Sequence, residues 1–398
     1  MSMMKALVGA ESGGYQFVED ANIPVPHQGS ILVRVHAVAL NPRDAKIIDF
    51  SNAAGCTCCQ SCSPPGISYK LEIFKSSSDK ISMSQDLVIH VLKYDYADFE
   101  LFTAVGGCDF AGTVEKVGEK VTRFKEGDRV LAVTFGSDVS DKTKGAFAEF
   151  ALAEEDISCH IPESFSFAQA CSIGLSMATA GLALFQPPGL GLSMKNGTGE
   201  TVLVSGGATA TGTMATQLLK IAGYEPIVTC SPANNTLCES YGAAACFDYN
   251  SPACGADIRV RTDNKLRYVL DCVTDATTMK MCYGAIGSSG GSYIALEATT
   301  TSVKYTRRDI RADWFLADAI MGDGVHMKGA YGRPPSPEDR RFGKTLFSEA
   351  QNWLQNDIIK PHPLELRSGG LASLPNAIDD LKLGKVRARK VVMELLAN

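Results

Sequence analysis

An excess of positive charge, internal repeats, low-complexity linkers and long apolar runs are what this chain lacks. Its 38 Lys and Arg stand against 44 Asp and Glu, a formal net charge of −6. No surplus cation is left to neutralise phosphates, which argues against a nucleic-acid binder. No stretch reads as long enough and apolar enough to cross a bilayer. The opening MSMMKALVGAESGG is too short and too weakly apolar for a signal peptide. No membrane partner is therefore expected. Cysteine, by contrast, is plentiful: 13 residues, four of them crowded at Cys56, Cys58, Cys59 and Cys62. The other nine read as scattered single residues, many in apolar runs such as YVLDCV and AQACSIG. Buried free thiols in a reducing compartment, the cytoplasm, account for these better than disulfides do. With 398 residues and 37 glycines, the chain has the size of a two-domain globular protein.

The first part reads as strands. SILVRVHAVAL is β-branched and partly alternating, and DFAGTVEKVG, GDRVLAV and GAFAEFALAEE follow with Gly, Asp and Pro between them. That punctuation predicts a small, mostly β domain. IPESFSFAQACSIGLSMATAGLALF turns helical, with apolar residues three and four apart. From Glu200 strands and helices alternate: TVLVSGG, TMATQLLKIAG to Gly223, EPIVTCS, NNTLCESYGA, ACFDY, RYVLDCV, TMKMCYGAI and GGSYIALE. Alternation of this kind predicts an α/β fold with a parallel sheet wound on both faces. GKTLFSEAQNWLQND and LPNAIDDLKLG read as helices of the tail, and KVVMEL as its last strand.

VLVSGGATATGTMATQLLK places a strand, a turn of small residues and a helix in sequence. Small residues let backbone approach a diphosphate, and the free N–H groups of a helix start favour the anion. Gly206, Gly207 and Gly212 frame the turn, with Ala208 and Thr211 between them. Thr209 and Ala210 stand where glycines would be expected, so a tight strand–helix turn of any α/β domain is the plainer alternative. The next strand ends in TCSPANN. It offers no acid to bind a ribose 2′-hydroxyl, while Ser231 and Asn234 can donate hydrogen bonds to a 2′-phosphate. The pattern favours NADPH over NADH; Ser231, Pro232, Ala233 and Asn234 as an ordinary helix cap is the alternative.

NPRDAK, GCDFAGTVEKVGEKVTRFKEGDRV, GAFAEF and ATAGLAL, with the turn above, resemble the medium-chain dehydrogenase/reductase superfamily in its zinc-independent, quinone-reductase-like branch. IVTCSPANN, FDY, LRYVLDC and AYGRPPSPEDRRFG are more closely similar to the trans-acting enoyl reductases of fungal polyketide pathways. The resemblance implies a GroES-like, β-rich catalytic domain over 1–165, a Rossmann NADPH-binding domain over 166–305, and a segment 306–398 returning to the catalytic domain. It implies Lys46 and Thr179 as the catalytic pair beside the cofactor. Arg43, Asp44, Ala45, Tyr249, Leu296, Glu297, Lys390 and Val391 are implied as further cofactor contacts. Ala180, Gly181, Leu182, Ala183, Leu184, Phe185, Gln186 and Pro187 would line an acyl pocket.

No metal is expected. A catalytic zinc wants three protein ligands. The chain offers Asn41 and Asp44 after the first long strand and only Cys108 in GGCDFAG. The stretch after GDRV, where a structural zinc lobe would lie, has no cysteine. The Cys56–Cys62 cluster falls in neither place. It opens a block, residues 56–103, whose removal joins NPRDAKIIDFSNAAG to AVGGCDFAGTV in a continuous match to the superfamily. The block reads as a translated, unspliced intron or an extruded loop. A lobe that docks a partner and a small metal knuckle are the alternatives.

The function expected is NADPH-dependent reduction of an α,β-unsaturated thioester held on the acyl carrier protein of a highly reducing polyketide synthase, by a monomer. YTRRDIR, DRR and KVRARK offer cations to an acidic carrier, although solvated surface arginines are the favoured reading of any one cluster. A stand-alone reductase of free quinones or enones, and an NADPH-binding partner without chemistry, stay open.

Overall fold

The computed structural model describes residues 3–11, 13–47, 103–327 and 329–395. The block 56–102, and with it the reading of its cysteines, lies outside these residues.

Two sheets carry the molecule. Ser30–Ala39, the β-branched SILVRVHAVA, lies inside a mixed sheet of seven strands. It pairs antiparallel with Asp109–Val117 along one edge, with Phe150–Glu154 at its start, and with Lys390–Glu394 at its end. The C-terminal strand thus joins the N-terminal sheet. Met3–Gly9 and Tyr15–Asn22 form a separate antiparallel pair.

The second sheet is parallel throughout. Its order is Ala245–Asp248, Glu225–Cys230, Thr201–Ser205, Tyr268–Asp271, Gly291–Ala295, Ile310–Trp314. The chain starts in the middle, winds to one edge and returns to wind to the other. This is the doubly wound dinucleotide-binding arrangement, whose ligand crevice opens where the winding reverses, beyond Ser205 and Asp271. The fold is α/β: a Rossmann-like parallel sheet beside a GroES-like mixed sheet.

One buried cluster runs from Ala37 and Leu131 of the mixed sheet, through Met177 and Leu184, to Val202 and Leu270 of the parallel sheet. The helix Gly174–Phe185 makes the link. Eleven of its 12 residues are buried, so it has no polar face. Together with the preceding turn it forms an apolar segment, Phe167–Phe185, that is long enough to span a bilayer by length and composition. This corrects the expectation that no such run exists. The segment is a core helix, 83% buried in protein.

Sequence boundaries moved where caps decided them. The tail helix starts at Pro337, ahead of the apolar run, because Ser336 accepts a hydrogen bond from the Asp339 amide and proline suits the first helical position. The helix Cys254–Arg261 and the strand Ile310–Trp314 carried too little periodic apolar signal to be read. The nine described cysteines are free, seven of them buried, as expected. They are not all scattered, however: Cys230, Cys238 and Cys246 converge.

Candidate active site

The turn after Thr201–Ser205 is built for close backbone approach. Gly206 has φ +80°, and a side chain on Gly212 would lie 2.3 Å from the Gly206 carbonyl oxygen. Thr209 takes the helix N-cap: its hydroxyl accepts from the Gly212 amide at 3.0 Å and donates to the Gly206 carbonyl at 2.8 Å. That is why threonine serves where a glycine was expected. Thr229 on the neighbouring strand braces the turn, its hydroxyl accepting from the Gly206 amide at 3.1 Å and its carbonyl from the Gly207 amide at 2.9 Å. Ala210 and Thr211 open the helix Ala210–Ala222, where amides have no intrahelical partner. A dinucleotide diphosphate fits the helix start, where Ala210 and Thr211 line the cleft and supply N–H donors. Gly207 lets the turn pack on the next strand, since a Cβ there would collide with Val228 at 2.5 Å.

The turn forms one wall of a cleft of about 360 Å³. The mixed sheet and its loops form the other. Residues 42–47, helical, bring Arg43 and Lys46 to it. Lys46 Nζ lies 3.0 Å from Glu297 Oε2, and the Tyr331 hydroxyl donates to Glu297 Oε1 at 2.7 Å. Burial raises the Glu297 carboxyl, but Lys46 and Tyr331 outweigh it and hold the group below its usual range. An ionised Glu297 thus fixes the Lys46 ammonium over the cleft. Arg43 donates to both oxygens of Asp318, at 2.6 and 3.3 Å, and to the Gly136 carbonyl at 3.0 Å. The Thr179 hydroxyl donates to the Leu175 carbonyl at 2.6 Å while facing the cleft.

The cleft floor is an ionic cluster out of water. Lys390 Nζ donates to Asp109 Oδ2 at 2.6 Å and to Asn41 Oδ1 at 2.8 Å. Asn41 Nδ2 donates to the same Asp109 oxygen at 3.0 Å, and the Leu175 amide to Asp109 Oδ1 at 2.6 Å. Behind it, Asp44 accepts from the Asn41 amide at 2.8 Å, and burial pushes its carboxyl up to about 6. Cys108 Sγ is 3.6 Å from Asp44 Oδ1 and 3.6 Å from Arg43 Nη1. A zinc ion does not fit there: the set holds two ligands, and a guanidinium already faces the thiol.

Of the residues singled out in the sequence, Arg43, Lys46, Thr179, Ala208 to Thr211, Leu296, Glu297, Lys390 and Val391 all line this cleft. Asp44 and Ala45 are buried behind it. Ala180 to Phe185 are buried inside their helix, and Leu175, Ser176 and Thr179 present the cleft face instead. Gln186 donates to Asp339 Oδ1 at 3.0 Å, and Pro187 is exposed. Ser231 to Asn234 form a turn beyond Cys230 in which neither Ser231 nor Asn234 makes a side-chain cap hydrogen bond, and Asn234 Nδ2 donates to Ser231 Oγ at 2.9 Å. Neither these four nor half-exposed Tyr249 belong to the cleft lining.

The arginine clusters are largely occupied within the chain. Arg307 donates to the carbonyls of Tyr283, Ile286 and Gly287, and Arg311 to those of Pro188 and Gly189. Arg340 pairs with Glu154 and Asp156. Arg308, Arg387 and Arg389 are exposed, and Arg389 rims the cleft. Sequence reasoning missed Asp318, Tyr331, Phe315 and His362 as lining residues. Asp318 and Tyr331 lie in short 3-10 helices and Phe315 and His362 in loops, all too short for a periodic signal to mark them.

Two family models match the chain: an alcohol dehydrogenase GroES-like domain over residues 83–163 and a zinc-binding dehydrogenase over residues 210–304. The first match begins inside the block 56–103. The trans-enoyl reductase grgB of a Penicillium species is 68% identical over 395 residues, covering 99% of each chain. A trans-enoyl reductase of Gibberella fujikuroi is 57% identical over 394 residues, covering 99% of this chain and 100% of the relative. In fold, an alcohol dehydrogenase superfamily protein from Novosphingobium aromaticivorans superposes with a TM-score of 0.71 at 20% identity, over 99% of this chain and 100% of that one. With the glycine turn facing a lysine-bearing wall across the cleft, these likenesses place the chain in the trans-enoyl reductase family of the medium-chain dehydrogenase/reductase superfamily, as an oxidoreductase.

Proposed function

We propose that the chain reduces the α,β-double bond of a polyketide enoyl thioester carried on the acyl carrier protein of a partner polyketide synthase, with NADPH and without zinc, in the cytoplasm. The observation that carries the reading is the cleft itself. Ala208 to Thr211 of the glycine turn share the cleft with the Lys46 side chain, and 11 of the residues expected at a reductase site line it.

Bound there, NADPH supplies the hydride that adds to the β-carbon of the substrate. The chain's own residues do the rest. The amides of Ala210 and Thr211 bind the diphosphate. Ser231 and Asn234 donate to the 2′-phosphate, and Thr179, Leu296, Glu297, Lys390 and Val391 flank the nicotinamide end. As the β-carbon accepts hydride, negative charge develops on the thioester oxygen. Lys46, held over the cleft by Glu297, is placed to stabilise that charge or to orient the nicotinamide ribose. Water, which reaches half-exposed Lys46, delivers the proton to the α-carbon.

A free quinone or enone reductase is the second reading. It is favoured by the internal use of Arg307, Arg311 and Arg340, which removes three cations from any carrier-docking face. The two separate by assay. Purified chain with NADPH and an enoyl group on an acyl carrier protein is compared with the same acyl group as a small free thioester. Faster reduction of the carrier-bound substrate is expected. Equal or faster reduction of the free one would replace the first reading with the second.

A further inference from the structure

Cys230, Cys238 and Cys246 come from three different elements: the end of the strand Glu225–Cys230, the helix Asn235–Ser240 and the strand Ala245–Asp248. Their sulfurs all lie within 4.8 Å of one another, and all three thiols are free. Parallel pairing of the two strands, with Cys246 opposite Val228 and Asp248 opposite Cys230, fixes two of them. Cys230 and Cys238 are 2% and 1% exposed, while Cys246 is half-buried and gives the access route. We infer that the three thiols form a binding site for a trivalent thiophilic species of the arsenous acid class.

Charge decides which soft species fits. Zinc would have to displace three protons and leave a net charge of −1 in the interior, and it wants a fourth ligand. The neighbouring charges, Asp248 and Glu239, are both negative. Among the described residues no cation is a leading influence on these thiols, and burial pushes the Cys246 thiol up to about 12. A trivalent arsenical avoids that cost. Arsenous acid and three thiols give a neutral trithiolate and three waters. Three As–O bonds break, three As–S bonds form, each thiol proton leaves with a hydroxyl, and no oxidation state changes. With bonds near the ~2.3 Å of a metal–thiolate contact, the sulfurs would need to close to ~4 Å or less, a short movement from their present spacing.

The site adjoins the coenzyme, since Cys230 is followed directly by Ser231. Drawing the sulfurs together would reshape the Ser231–Asn234 turn and lower NADPH affinity at least threefold. That consequence rests on the reading of this turn as the 2′-phosphate pocket; the arsenic site itself does not.

The experiment uses full-length chain with Cys56, Cys58, Cys59 and Cys62 changed to Ser, because those four thiols are themselves ligands by type. Under anaerobic, reduced conditions it is titrated with sodium arsenite. Intact mass should show one arsenic gained and three hydrogens lost. Quenched alkylation and peptide mapping should find Cys230, Cys238 and Cys246 protected together, a readout that needs no further substitution. Cys246→Ser should weaken binding at least tenfold, and Cys238→Ser with Cys246→Ser should abolish it. Cys171→Ser, a buried thiol elsewhere, should leave it intact. No adduct, or protection of other cysteines, would overturn the site. Arsenic bound with NADPH affinity unchanged would overturn the coupling alone.

Discussion

Lys390 and Asp109, 281 positions apart in the sequence, meet at 2.6 Å with side chains 2% and 0% exposed. Among the described residues, the Lys390 ammonium donates to Asp109 and Asn41, and the Asp109 carboxylate accepts from Lys390, Asn41 and the Leu175 amide. The pair therefore ties the C-terminal strand, the end of Ser30–Ala39 and the start of the core helix into one unit beneath the cleft.

Removing one partner strands the other. Lys390→Met should lower unfolding free energy by about 3–5 kcal/mol in urea melts, since a buried carboxylate would be left uncompensated. Adding Asp109→Asn removes that charge while keeping an acceptor for Leu175, and should recover at least about 1 kcal/mol. A double variant no more stable than the single would show that the ion pair is not what holds this unit.

The glycine cradle gives a binding prediction separate from stability. Gly212→Ala puts a methyl 2.3 Å from the Gly206 carbonyl, a backbone atom that cannot swing aside. NADPH affinity by calorimetry should fall at least tenfold while the far-UV circular dichroism spectrum is kept. Unchanged affinity would place the dinucleotide elsewhere.

Replacing Lys46 is expected to separate catalysis from folding. Its ion pair with Glu297 is half exposed on the lysine side and is worth at most about 1 kcal/mol to stability. Lys46→Ala should leave Tm nearly unchanged and cut kcat at least tenfold. Unaltered kcat and KM would remove Lys46 from the reaction.

Two buried groups give opposing pH responses. Burial and the nearby Lys390 charge lower His362 from 6.5 to about 4, so the unfolded chain takes up a proton that the folded chain refuses, and His362 costs stability as pH falls from 6.5 to 4. Burial raises Asp44 from 3.8 to about 6, so the folded chain holds the proton longer, and stability rises as pH falls through 6 towards 3.8. Each shift amounts to about 3 kcal/mol at 1.36 kcal/mol per pH unit. His362→Gln should make the protein more stable at pH 5 than at pH 7, relative to the parent, and Asp44→Asn should do the reverse. Parallel unfolding curves at both pH values would refute the assignment.

Most of the parallel sheet was legible because its strands other than Ile310–Trp314 are short apolar runs bounded by turn residues. Of the connecting helices, Ala276–Ala285 buries Met279, Cys282 and Tyr283 at the three- and four-residue spacing of one face. By contrast, Ala210–Ala222 is buried without a break from Gly212 to Leu219, Asn235–Ser240 buries only Cys238, and Cys254–Arg261 buries Cys254, Gly255 and Ile258 while Val260 is 81% exposed. The glycine turn was legible for a related reason: Gly206 and Gly212 answer to φ and to close contact, which are local demands that only one residue type meets.

What the sequence by itself determined, then, is the local: which apolar runs become strands, which become helices, and that a Gly-rich turn joins a strand to a helix. Tertiary structure alone decided which distant groups meet. Arg43 finds Asp318 275 positions away, Lys46 finds Glu297 at 251, and Cys230, Cys238 and Cys246 converge although each looks like an isolated buried thiol. Periodicity reports the face a residue turns to its own element's neighbours. It carries no information on which other element will be packed there, because that choice is made by the burial of a whole core.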